Sequence, residues 1–155
     1  RHYDIVLLDA YYADAVPFHL TTREFFLTVN QKLTNDGTAV INIIGAVTGP
    51  KSRIVRSFFK TLQQIFPQIY LFPTLGSDDH SLWTSQNIII LASKNPKRVD
   101  IEEIVRRAAS LGRDLFPQPL SNINAAYLKE MPEQDGDVPI LTDDYAPTDS
   151  LLQNY

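Results

Sequence analysis

The feature that most constrains this chain is a break in its alternation: after two rounds of strand and helix, two strands follow one another with no helix between them. The run YDIVLLD at residues 3–9 is short, apolar and closed by a carboxylate, the pattern of a strand buried in the middle of a parallel sheet. Residues 22–33 carry Phe25, Phe26, Val29 and Leu33 on one stripe, behind a capping box of Thr21 and Glu24, which predicts a helix. Asn35, Asp36 and Gly37 stop it, and residues 38–44 read as a second buried strand. Beyond Gly45 and a turn at Gly49 and Pro50, residues 52–66 place Ile54, Val55, Phe58, Phe59, Leu62 and Ile65 on one helical face. Strands at 68–73 and 87–93 then come in succession. The polar loop 74–86 that joins them contains Gly76, Asp78, Asp79, His80 and Trp83. An amphipathic helix over 100–111 precedes a Pro-rich tail, in which one more helical turn is expected near 125–130.

Alternation predicts a parallel sheet covered by helices, and the consecutive pair at the end makes the final strand antiparallel. The expected fold class is therefore α/β and Rossmann-like. The order matches the second half of a sheet of the S-adenosylmethionine-dependent methyltransferase type, whereas a flavodoxin-like or dehydrogenase half would go on alternating. The 155 residues suffice for one domain, 1–155, with sheet and helices over 1–95 and a helical, Pro-rich tail over 96–155. A buried strand begins almost at Arg1, so an N-terminal portion is expected to precede this stretch.

Composition narrows the chemistry. With 44% hydrophobic and 21% charged residues the chain is an ordinary globular one, and its formal charge of -4 argues against a basic nucleic-acid-binding surface. The same balance suits a cationic small substrate. The absence of cysteine excludes disulfides, thiolate catalysis and Cys-ligated metals. His2, His19 and His80 stand far apart, and none has a metal-ligand spacing; His80 beside Asp78 and Asp79 is too local a cluster to count as a metal site. No stretch approaches the roughly 18 apolar residues of a membrane span, and the expected location is cytoplasmic.

In an open α/β sheet the ligand sits beyond the carboxyl ends of the strands. Asp9 closes the first strand there, and Ile43 to Gly45 close the second. Position alone leaves Asp9 open to two readings, a crevice carboxylate or a residue that merely ends a strand. Asn42, inside a buried strand, reads as a satisfied core polar group in preference to a crevice residue.

Asp9, Pro17, Leu20 to Glu24 and the pair Phe25 and Phe26 resemble the spermidine synthase pattern. In that family a strand ends in D-x-x-D-P, and a segment of the type L-[FT]-x-E-[EF]-[FY] begins the next helix. Phe72, Pro73 and Thr74, then Trp83, then Ala92, Ser93 and Lys94 resemble the family's P-T-Y…W…A-S-K hairpin. Leu141 to Pro147 resemble the closing motif of bacterial spermidine-synthase-like proteins, some of which are fused to transporter-like membrane segments. The resemblance implies transfer of an aminopropyl group from decarboxylated S-adenosylmethionine to a diamine such as putrescine. It implies no prosthetic group; the adenosyl compound is a co-substrate.

By the same resemblance Asp9 takes the catalytic base role, because the attacking amine must shed a proton and a carboxylate in reach can accept it. Asp9, Ala10 and Pro17 would line the co-substrate. Tyr12, Asp14, Trp83, Asp143 and Asp144 would face the amine. Tyr12 stands where the family has its second Asp, and Leu75 where it has the hairpin Tyr. The glycine-rich loop and ribose-binding acid of the family belong to earlier strands, so the chain by itself is expected to hold the adenosyl compound weakly. Tyr145 and Pro147 are expected to dock the tail. Two other functions share this sequence pattern: an S-adenosylmethionine-dependent methyltransferase, and a non-catalytic homologue serving dimerisation or regulation. Expected partners are a small polyamine substrate and a second copy of the chain, with no nucleic acid, and a membrane only through a fused transporter-like segment.

Overall fold

A computed structural model describes residues 1–10, 16–75, 79–115, 127–128 and 138–148, with backbone alone at 111–115. Four strands form one sheet in the order β1–β2–β4–β3, comprising β1 (Tyr3–Leu8), β2 (Leu33–Gly45), β3 (Gln68–Pro73) and β4 (Gln86–Ser93). β1 runs parallel to β2, and β4 runs antiparallel to both β2 and β3. The last strand thus lies between β2 and β3, antiparallel as the consecutive pair of apolar runs predicts.

α1 (Arg23–Lys32) and α2 (Arg53–Gln63) cover one face of this sheet. Phe26, Val29, Ile54, Val55, Phe58 and Leu62 pack there against Ala39, Ile41 and Ile43 of β2 and Ile88, Ile90 and Ala92 of β4. Side chains of a strand alternate between faces. The inward set is therefore the odd-numbered residues of β2 and the even-numbered ones of β4. The rings of Phe26 and Phe58 meet edge to face with centroids 5.4 Å apart, which locks the two helices over the centre of the sheet.

Three expectations are corrected. β1 is an edge strand of the described sheet, not a central one: only β2 pairs with it, and Ile5 and Leu7 are 66% and 70% exposed. β2 begins at Leu33 rather than at 38, but its ladder is interrupted. Tyr3 pairs with Leu33 and Ile5 with Thr38, so Asn35, Asp36 and Gly37 bulge out where the turn was expected. The helix start also moves by one residue. Thr22, in an extended conformation, accepts from the N–H of Phe25, whereas the Thr21 hydroxyl donates to the Phe18 carbonyl and is spent closing a 3-10 turn at Phe18–Leu20.

The remaining boundaries shift modestly. A short 3-10 turn at Pro50–Ser52 leads into α2, and the loop before β4 holds one helical turn, α3 (Asp79–Trp83). α4 (Ile101–Leu115) follows β4. The helical turn expected near 125–130 is absent at Tyr127 and Leu128, the described residues of that stretch: Leu128 donates its N–H to Leu71 and bridges β3 antiparallel. Rings of Phe72 and Tyr127, 5.6 Å apart, fill the space beside that bridge.

Candidate functional site

The carboxyl ends of β1 and β2 and the amino end of β4 meet at one margin of the sheet. Asp9 lies there, one residue past β1, and is exposed. The last recorded pair across β1 and β2 is Leu8 with Ile41, so Asp9 and Asn42 come next on the opposite face of the pleat, away from α1 and α2. Asn42 Nδ2 donates to Asp9 Oδ1 at 3.1 Å. Asn42 is half-buried and bonded to the exposed Asp9 carboxylate, an arrangement that favours the crevice reading over that of an enclosed core polar group. Its local sequence, an amide among aliphatic residues, could not show that; the pairing depends on the register between two strands 33 residues apart.

Beside this pair the loops after β2 and before β4 are bolted together. The N–H groups of Val47 and Thr48 both donate to the Leu82 carbonyl, at 2.8 and 3.0 Å. Gly49 has φ 76°, and a Cβ there would come within 2.9 Å of the Trp83 ring, so the indole lies directly on the glycine backbone. The buried Gln86 side chain clamps the same loop from within. Its Oε1 accepts from Leu75 N–H and its Nε2 donates to the Ser81 carbonyl, both at 2.6 Å. Trp83 nevertheless leaves 61% of its surface exposed, and Leu75 leaves 58%. The result is a fixed rim carrying two exposed apolar side chains. Sequence reasoning read Gly49 as a turn residue without its contact to Trp83 and missed Gln86, for which a glutamine at a strand start was the available signal.

Asp143 and Asp144 sit exposed in a turn closed by mutual backbone bonds between Thr142 and Tyr145. That turn is fastened to the start of α1. The Leu141 carbonyl accepts from Arg23 N–H at 2.8 Å, and Glu24 accepts from Asp143 N–H at 3.1 Å. Leu141 itself is fully buried, with its N–H donating to Thr61 Oγ1. Hydrogen bonding from its own backbone N–H, opposed by burial and reinforced by Asp143 N–H and Arg23, holds the Glu24 carboxyl below the ordinary value of 4.5. The expectation that Tyr145 docks the tail is corrected in part: Leu141 is the buried anchor, while Tyr145 is 59% exposed and contributes backbone bonds.

Ala10 and Pro17 are half-buried on either side of the segment that follows β1. Tyr12 and Asp14 lie outside the described residues. Among the described residues no three His, Asp or Glu side chains come together as a metal site. None of the described helices is long and apolar enough to cross a membrane.

No family model matches the chain. It is 25% identical over 152 residues to a polyamine aminopropyltransferase of Vibrio vulnificus, covering 97% of this chain and 46% of that protein. It is 26% identical over 164 residues to a probable polyamine aminopropyl transferase of Bifidobacterium longum, covering 96% of this chain and 34% of that one. A solved structure, a probable spermidine synthase from Corynebacterium glutamicum, superposes with a TM-score of 0.57 at 17% identity, over 90% of this chain and 49% of that one. The chain therefore spans half or less of the length of these relatives. The sheet, with its inserted antiparallel strand, is methyltransferase-like. In sequence the chain is thus similar to polyamine aminopropyltransferases, and in fold to a spermidine synthase.

Proposed function

We propose that this chain carries the catalytic-carboxylate half of an aminopropyltransferase that moves an aminopropyl group from decarboxylated S-adenosylmethionine to a diamine such as putrescine. The observation that carries the reading is Asp9, an exposed carboxylate one residue past β1, at the strand ends where an α/β sheet binds its ligand, hydrogen-bonded by Asn42. The aminopropyltransferase names of the two sequence relatives support it.

A diamine arrives as a dication, and its attacking nitrogen is inert until it loses a proton. Asp9 would hold that ammonium by charge and take the proton as attack begins. The amine nitrogen forms a bond to the carbon next to the sulfonium. The carbon–sulfur bond breaks, its electron pair stays on sulfur, and a neutral thioether leaves. The displaced charge neutralises itself, so the step asks the protein for position and a base. Trp83 and Leu75 on the rim offer apolar surface to the methylene segment of the amine, and Asp143 and Asp144 would face its far end. Ala10 and Pro17 would flank the adenosyl compound.

The test is a radiolabel transfer assay on the complete gene product, offering putrescine with decarboxylated S-adenosylmethionine and, in parallel, with S-adenosylmethionine. Label in spermidine with the first donor alone is the expected result. Label moved only from the second donor would replace this reading by methyl transfer, and silence with both would remove it.

A further inference from the structure

The outward face of β2 is aliphatic on either side of Asn42, with Val40 before it and Ile44 after it. Half-burying an amide between aliphatic neighbours costs free energy unless its polar atoms are engaged, and a strand that served only packing would carry another aliphatic there. The amide nitrogen is engaged, donating to Asp9 Oδ1 at 3.1 Å. That bond is not needed to hold the strands, since the main-chain ladder already pairs Leu7 with Val40 and Leu8 with Ile41.

We propose that Asn42 is the positioning residue for Asp9, fixing the rotation of the carboxylate so that Oδ2 faces the incoming amine. This rests on the aminopropyl-transfer reading of the site. Three features suit Asn42 to the task. Its backbone is held in the sheet, because Asn42 pairs with Ile89 of β4 and directly follows Ile41, which pairs with Leu8 of β1. Asp9 by contrast stands just past the end of β1, outside the ladder and exposed. A carboxylate only accepts, so the amide nitrogen is the atom that meets it, and one donor bond on Oδ1 leaves the lone pairs of Oδ2 for the substrate. The donor is also neutral. A lysine or arginine at 42 would pair with Asp9 and compete with a cationic amine, whereas an amide orients the carboxylate without cancelling its charge.

The experiment is a double-mutant cycle on the complete gene product, with kcat and KM for the amine measured for wild type, Asn42→Leu, Asp9→Asn and the double variant, and a thermal melt of each. We expect Asn42→Leu to lower kcat about tenfold, the order of one charge-assisted hydrogen bond. KM and the melting temperature should hold, and adding Asn42→Leu to Asp9→Asn should cost nothing further. If leucine at 42 prevents folding, Asn42→Ser, whose hydroxyl is too short to reach Asp9, is read in the same way. A folded Asn42→Leu enzyme at the wild-type rate, or one whose loss persists in full without Asp9, overturns the positioning role while leaving aminopropyl transfer in place. A wild-type protein that transfers nothing removes both.

Discussion

Gly49, at φ 76° beneath the Trp83 indole, combines a backbone region that L side chains rarely adopt with a contact that leaves no room for a Cβ. Gly49→Ala should therefore destabilise the chain by about 1–3 kcal/mol, read from denaturant melts, and should change the fluorescence of Trp83 as the rim loosens. At Ser57 the opposite holds. Its hydroxyl is fully buried and makes no hydrogen bond among the described residues, so Ser57→Ala should be neutral or stabilising by up to about 1 kcal/mol. These two effects were not legible in the sequence, because a glycine's neighbour and a serine's orphaned hydroxyl are products of packing. Asp9 was singled out by the resemblance, since its position at the end of an apolar strand left a crevice carboxylate and a strand-ending residue both open. Its partner was not, since Asn42 lies inside an ordinary strand pattern and its role depends on inter-strand register.

Among the elements, α1, α2 and the 138–148 segment form one unit. Thr61 Oγ1 donates to the Ser57 carbonyl and accepts from the buried Leu141 N–H. Thr61→Val should leave that N–H without its acceptor and cost about 1–3 kcal/mol, with hydrogen exchange at Leu141 accelerating more than exchange in β2 or β4. Acid should act on the same junction. The Glu24 carboxyl titrates below the ordinary 4.5 in the folded chain, so its contribution is present above the unfolded value and is lost as pH falls through the folded one. The Asp143 amide should therefore lose protection in that acid range, at lower pH than a free glutamate would titrate, while a Glu24→Gln chain shows no such step. Helices and strands themselves were readable from period and capping to within a few residues. The one-residue slip of the α1 cap came from Thr21 being drawn into a preceding turn. The mistaken helical turn near 125–130 came from local propensity giving way to a tertiary bridge, Leu128 on Leu71.

For the whole molecule, two consecutive apolar strands indicated an antiparallel last strand, while its place between β2 and β3 matches the methyltransferase-type sheet that the order of elements resembles. Ile5 and Leu7 project from an edge strand whose outer backbone groups have no strand partner among the described residues, a surface prone to pairing. The isolated chain should therefore self-associate with rising concentration in sedimentation velocity, and the double variant Ile5→Lys, Leu7→Lys should shift it toward monomer; a monomeric parent chain at the same concentrations would contradict this. The central claim is the base role of Asp9, and kcat for aminopropyl transfer by Asp9→Asn in the complete gene product tests it most directly. A folded variant slowed by about 10²–10⁴-fold is the predicted result, the range a positioned base contributes. A folded Asp9→Asn enzyme that turns over at the wild-type rate would contradict it.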